Sequence, residues 1–327
     1  MRNRSEILRD RNDLLDRAKG ALIGLAIGDS FGDACRVQDN RVNYGFTTDF
    51  SSKSTWSTDD TEFAMLTATT LVNCGGELTD ECIMDSWLKH VVVQDEFKRG
   101  GQSEISAANN IRKGLRAPES GKFNVFHMSD GTAMRIPPVG IISAGNPEKA
   151  RKLAEIDARI SHYRDGIWGA QAVAAAVAVA MADGEWEEIF DAAMDSLPEE
   201  CWTYHEMIET KRIIEESGFD VLSSWMKIHD ETRCSTWATT AEAIPSAFAC
   251  LRLCHDDFRK GVVLAGNYGR DADTIGAVAG AILGAKYGLK AIPESWVEKT
   301  RYPSGTCLQF TKGIDILELA EKLADLV

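Results

Sequence analysis

Gly266–Gly288 reads GNYGRDADTIGAVAGAILGAKYG. Two carboxylates and a hydroxyl, Asp271, Asp273 and Thr274, fall close together at its head. Glycine then recurs at every fourth position: Gly276, Gly280, Gly284 and Gly288. That spacing sets them on one side of a helix. Each costs an interior helical position about 0.8–1 kcal/mol relative to alanine, so a stripe of them implies another backbone close against that side. A rigid helix with acids in its first turn is suited to hold a metal ion or a polar ligand.

The same spacing occurs in DRAKGALIGLAIGDSFG, Asp16–Gly32, at Gly20, Gly24, Gly28 and Gly32. The two ridges are expected to pack against each other. Elsewhere Val, Ile and Thr do not alternate as in strands, and helical periodicity dominates. Helices are expected over Asp80–Val91, Ser103–Leu115, Pro147–Ile156, Trp186–Leu197, Ala243–Cys254, Asp257–Ala265 and Ile314–Val327. Arg36–Lys53 reads as a loop, and Phe123–Gly145 breaks the pattern with Asp130-Gly131 and Pro137-Pro138. Pro198–Glu242 resists parsing. The longest uncharged run, Gly166–Ala182, is alanine-dominated and slightly short for a membrane span, so it reads as a buried helix. The fold class is all-α.

The 327 residues alone suggest about two domains, although single domains of this size exist. A net charge of −14 and a pI near 5.0 argue against nucleic acid and anionic membranes as partners. They leave room for a small anionic ligand, because metals and helix N-termini supply local positive charge. The N-terminal residues alternate charge and carry no hydrophobic core of signal-peptide length. Eight cysteines form no CxxC pair and read as buried thiols, which implies a reducing cytoplasm.

A second oxygen-rich cluster, Thr58-Asp59-Asp60, lies in STWSTDDTEFAMLTATTLV, where Ser57 or Thr58 can cap a helix that begins at Asp59. Together the clusters offer four carboxylates and two hydroxyls. That set suits Mg²⁺ or Mn²⁺ and is poor for zinc or copper. Two ions about 3.5–4 Å apart are bridged by such sets elsewhere. Taken singly, each cluster also reads as an ordinary capped helix N-terminus. Several other motifs fail. An EF-hand opening at Asp271 meets Ile275 and Ile282 where acids are required. Gly28-Asp29-Ser30-Phe31-Gly32 matches a nucleophile elbow but follows a helix, not a strand. His205-Glu206 lacks the second histidine of H-E-x-x-H, since position 209 is Glu. Unaided, His162 is a structural histidine, and Ser129–Arg135 is a turn whose N–H groups can face an anion.

The order GALIGLAIGDSFG, STDDT, DGTAMR, Ser161-His162 before an alanine-rich helix, GRDADTIGAVAGAILGAKYG, and Ile292-Pro293 with Trp296 resembles the ADP-ribosylglycohydrolase family. The likeness runs from about Ala18 to Trp296. It implies a compact orthogonal bundle of helices in one domain, 1–327, with a binuclear centre of two Mg²⁺ or Mn²⁺. By position the metal ligands are Thr58, Asp59, Asp60, Asp271, Asp273 and Thr274. Asp29, Asp130, Gly131, Thr132, Met134 and His162 are implied at the substrate, with Asp60 and Asp95 in catalytic roles. The implied reaction hydrolyses the glycosidic bond between ADP-ribose and an acceptor, arginine being the commonest. The partner is then an ADP-ribose-like small molecule or an ADP-ribosylated protein. The alternatives are a hydrolase of a nucleoside-like N-glycoside and a catalytically silent structural or binding member. Three departures stand out: Asp130 within the DGTAMR loop, Arg36 where many members carry glutamate, and no aromatic immediately before Asp130. Phe123 and Phe126 are the nearest substitutes.

Overall fold

The computed structural model describes residues 7–8, 10–35, 45–50 and 56–327; Arg36 lies outside them. The first helices are α1 (Arg11–Cys35), α2 (Asp59–Asn73), α3 (Asp80–Trp87), α4 (Gln102–Arg112), α5 (Glu119–Lys122) and α6 (Pro137–Ile142). Next come α7 (Pro147–Ala158), α8 (Asp165–Met181), α9 (Trp186–Met194), α10 (Trp202–Glu216) and α11 (Val221–Glu231). The chain closes with α12 (Thr240–Leu253), α13 (Phe258–Gly266), α14 (Ala272–Tyr287), α15 (Glu294–Thr300) and α16 (Ile316–Ala324). Among the described residues there is no strand, only one isolated bridge between Ser129 and Thr239.

The two glycine ridges do meet. Helices α1 and α14 run antiparallel, with Gly20 against Gly284, Gly24 against Gly280, Gly28 against Gly276 and Gly32 against Ala272. A Cβ placed on any of these glycines would overlap a carbonyl group of the opposite helix. The backbones therefore touch without side chains between them, which accounts for the propensity cost of the stripe. The alanine-rich α8 is almost wholly buried and packs against α6, α7, α9, α12 and α14. Among the described residues no helix is long and apolar enough to cross a membrane.

Several element boundaries depart from expectation. Helix α3 stops at Trp87 and widens into a π turn at Leu88–Val92. Pro137-Pro138 opens a short helix, because the first helical turn needs no N–H donor. The unparsed Pro198–Glu242 contains α10 and α11, whose periodicity is blurred by exposed Trp202, Ile208, Leu222 and Met226.

Buried Glu62 ties α2 to the C-terminal segment. Its carboxylate accepts from the backbone N–H groups of Thr306, Cys307 and Leu308 at 3.0, 2.9 and 2.6 Å, and from Ser57 Oγ at 2.6 Å. This clamp holds the first turn of α2, with its acids, against the core.

Candidate active site

Close approach of α1 and α14 brings Asp29 and Asp273 together, and the start of α2 adds Asp60. One carboxylate oxygen from each of these buried residues lies within 4.8 Å of the others. Asp29 accepts from Thr58 N at 3.0 Å, Thr58 Oγ1 at 2.7 Å and Thr61 N at 3.2 Å, and also from Thr61 Oγ1. Thr58 caps α2, accepting from Asp60 N at 3.3 Å. Asp271 begins α14 yet its side chain makes no capping hydrogen bond. Arg270 holds that turn in the left-handed region (φ 61°) by pairing with Glu242 at 2.6 and 2.8 Å and with the Cys234 carbonyl at 2.7 Å. Such a conformation costs of order 1–3 kcal/mol and persists only where its surroundings over-determine it.

Burial pushes the Asp29 carboxyl up to about 7, against the pull of its Thr61 and Thr58 hydrogen bonds. Asp59, Asp60 and Asp130 are also raised well above the usual carboxylate range, first by burial and then by neighbouring acids. Crowded carboxylates shift this way when nothing offsets their charge. Oδ1 of Asp60 and Oδ2 of Asp130 are buried with no hydrogen-bond partner. The donor set is all hard oxygen. These residues fit a divalent cation of the magnesium class.

All of these acids but the fully buried Asp29 line a cavity of about 670 Å³. Asp59, Asp60, Glu104, Asp130, Asp271 and Asp273 all line it, as does Thr274. Phe126, Trp202 and Trp237, each partly exposed, stand in its wall. Asp130 faces the acidic cluster, its carboxyl raised by burial and by the charges of Asp60 and Asp273. Gly131 and Met134 line the cavity as well. Thr132 does not: it is buried, and its hydroxyl donates to the Gly166 carbonyl. His162 is likewise buried behind the loop. Burial, then the Arg135 charge, holds its pKa well below the ordinary value.

The structure places Asp95, the expected catalytic acid, away from the cavity. Asp95 is exposed and outside the cavity lining, leaving the chain just beyond the π turn. The acid in the wall is Glu104, two residues into α4 and fully buried. Ser103 Oγ donates to its Oε2 at 2.6 Å, Ser129 Oγ donates to Ser103 Oγ at 2.9 Å, and His162 Nε2 lies 2.9 Å from Ser129 Oγ. Arg135 lies 3.4 Å from Oε1 and is itself fixed by Asp157 at 2.8 Å. Glu104 is thus oriented from both oxygens. Nothing in the sequence analysis singled it out; in the structure a Cβ at Gly101 would overlap Glu104 and stand 3.0 Å from Asp59 Oδ2.

The sequence model of the ADP-ribosylglycohydrolases matches residues 10–327. The chain belongs to the ADP-ribosylglycohydrolase family. Among ADP-ribosylglycohydrolase-like relatives, a protein of Archaeoglobus fulgidus described only as uncharacterized is 29% identical over 86% of this chain and 91% of its own. ADP-ribosylarginine hydrolase Tri1 of Pseudomonas putida is 26% identical, with coverages of 88% and 75%. The ADP-ribosyl-[dinitrogen reductase] glycohydrolase of Rhodospirillum rubrum is 24% identical, covering 87% and 90%. A solved structure titled ADP-ribosylglycohydrolase-related protein complex superposes with a TM-score of 0.66 at 23% identity, over 96% of this chain and 99% of that one. That likeness shows the fold.

Proposed function

We propose that this chain acts as one domain, 1–327, and hydrolyses the glycosidic bond joining ADP-ribose to an acceptor, with two Mg²⁺ or Mn²⁺ bound. The observation that carries this reading is the buried cluster of Asp29, Asp60 and Asp273, of which Asp60 and Asp273 line a ligand-sized cavity. Asp59, Asp271, Thr58 and Thr274 adjoin them and complete the proposed ligand set. The relatives named for ADP-ribosyl substrates support the substrate class, and the arginine adduct is the first acceptor to try.

A divalent ion held on this cluster supplies charge stabilisation and a polarised water. The chain's own groups do the rest. The carboxylates would orient the ribose hydroxyls and stabilise an oxocarbenium-like transition state. Glu104, facing the cavity and fixed through both oxygens, would move the proton. Phe126, Trp202 and Trp237 would cover the ligand and exclude water.

The test is incubation with Mg²⁺ or Mn²⁺ and ADP-ribosyl-arginine, ADP-ribosyl-serine and a nucleoside panel, reading free ADP-ribose or base. Release of ADP-ribose is expected; release of base from nucleosides alone would favour a nucleoside-type hydrolase. No turnover, together with no metal bound by calorimetry, would refute the enzyme reading.

A further inference from the structure

The cavity lining contains one arginine, Arg99. Among the described residues, Arg99 is the only arginine or lysine that lines a cavity bearing six carboxylates. Its backbone is left-handed, at φ 58°, and Gly100 and Gly101 follow it in the cavity lining. Asp33 anchors the side chain. That carboxylate, buried on α1, accepts from Arg99 Nη2 and from Trp56 Nε1, and the guanidinium lies 5.3 Å from the centre of the Trp56 ring. Asp33 stands one helical turn beyond Asp29, so the anchor sits roughly 5–6 Å from the acidic triad along α1. Among the described residues Nε and Nη1 of Arg99 have no hydrogen-bond partner, and the side chain is about a third exposed. The fork is oriented by Asp33 and Trp56 with donors to spare.

We infer that Arg99 is the specificity-determining residue of this cavity and binds a phosphate of the ligand. The inference rests on the glycohydrolase reading and deepens it. An acidic cavity repels anions unless a local cation offsets it, and a guanidinium fork matches phosphate geometry in a way that a point charge does not. Two sources share this chemistry: the pyrophosphate of ADP-ribose, and a phosphate on the leaving-group side of the anomeric carbon. Either sets a phosphate-bearing ligand above a neutral glycoside.

Calorimetric titration in Mg²⁺ of the wild-type chain, Arg99→Gln and Arg99→Lys decides it, with ADP-ribose, ribose 1-phosphate and adenosine as ligands. Arg99→Gln is expected to weaken a phosphate ligand about tenfold to a hundredfold while leaving adenosine unchanged. A loss on ADP-ribose alone assigns the pyrophosphate; a loss on ribose 1-phosphate assigns the leaving-group side. If Arg99→Gln fails to fold, Arg99→Lys is read in its place, since it keeps a charge opposite Asp33 and loses the fork. Equal losses on all three ligands, or no loss on any, would overturn the inference alone. Wild-type protein that binds none of them would overturn the glycohydrolase reading with it.

Discussion

Gly28→Ala tests the link between the glycine ridge and the site. Alanine would add about 0.8–1 kcal/mol of helix propensity. Its Cβ, however, would overlap the Gly276 carbonyl on α14, a backbone group within a buried helix that cannot rotate away. Overpacking of this kind costs typically about 1–3 kcal/mol, and a backbone-to-backbone clash belongs at the upper end. The net loss is then about 2 kcal/mol. A chain of this length has an unfolding entropy near 0.7 kcal/mol/K, so Tm should fall by about 3 °C. The second consequence is local. Asp29 adjoins Gly28 and Asp273 lies one turn from Gly276, with carboxylate oxygens within 4.8 Å of each other. Prising α1 from α14 separates these oxygens, and magnesium demands near-ideal octahedral geometry. Affinity should drop about tenfold or more. Thermal scans with and without Mg²⁺, paired with calorimetric titration, measure both effects. The Gly28→Ala/Gly276→Ala double variant should lose less than the sum of the singles, because the helices are already apart. A Gly28→Ala protein with raised Tm and unchanged metal affinity would refute the reasoning.

Asp60→Asn and Asp273→Asn should each abolish metal binding by calorimetry while far-UV circular dichroism stays helical; full activity in either would show the site misplaced. Glu104→Gln should lower kcat by about 10²-fold or more, and Asp95→Asn should leave it near wild type, both read by ADP-ribose release. In metal-free protein, the raised Asp29 carboxyl contributes stability that is fully present below its unfolded value near 4. That contribution is lost as pH rises through about 7. Urea midpoints in EDTA should therefore fall between pH 5 and pH 8, and Mg²⁺ should offset the decline, because binding needs the ionised carboxylates.

What the sequence determined by itself was local. Glycine at every fourth residue is a one-helix signal, and it announced a close backbone partner before that partner was known. Thr58-Asp59-Asp60 and Asp271–Thr274 were legible as oxygen clusters at helix starts, since capping and first-turn chemistry need only a few neighbours. Long apolar helices such as α8 were legible for the same reason. Tertiary structure alone decided which groups share the cavity. Asp29, which only the family resemblance singled out, meets Asp60 and Asp273 because α1 packs on α14 and α2 starts beside both. Asp95 and Glu104 are nine positions apart, and only Glu104 lines the cavity. The π turn and the Gly100-Gly101 passage turn Asp95 to solvent and Glu104 inward, and neither leaves a periodic trace. Thr132 and His162 sit in a stretch whose motif suggests ligand contact, yet their hydrogen-bond partners Gly166, Ser129 and Ser161 come from folding and bury them behind the loop. Sequence periodicity reports which side of an element is apolar; which distant carboxylates share one ion depends on how the backbones approach, and here that distance was fixed by glycine.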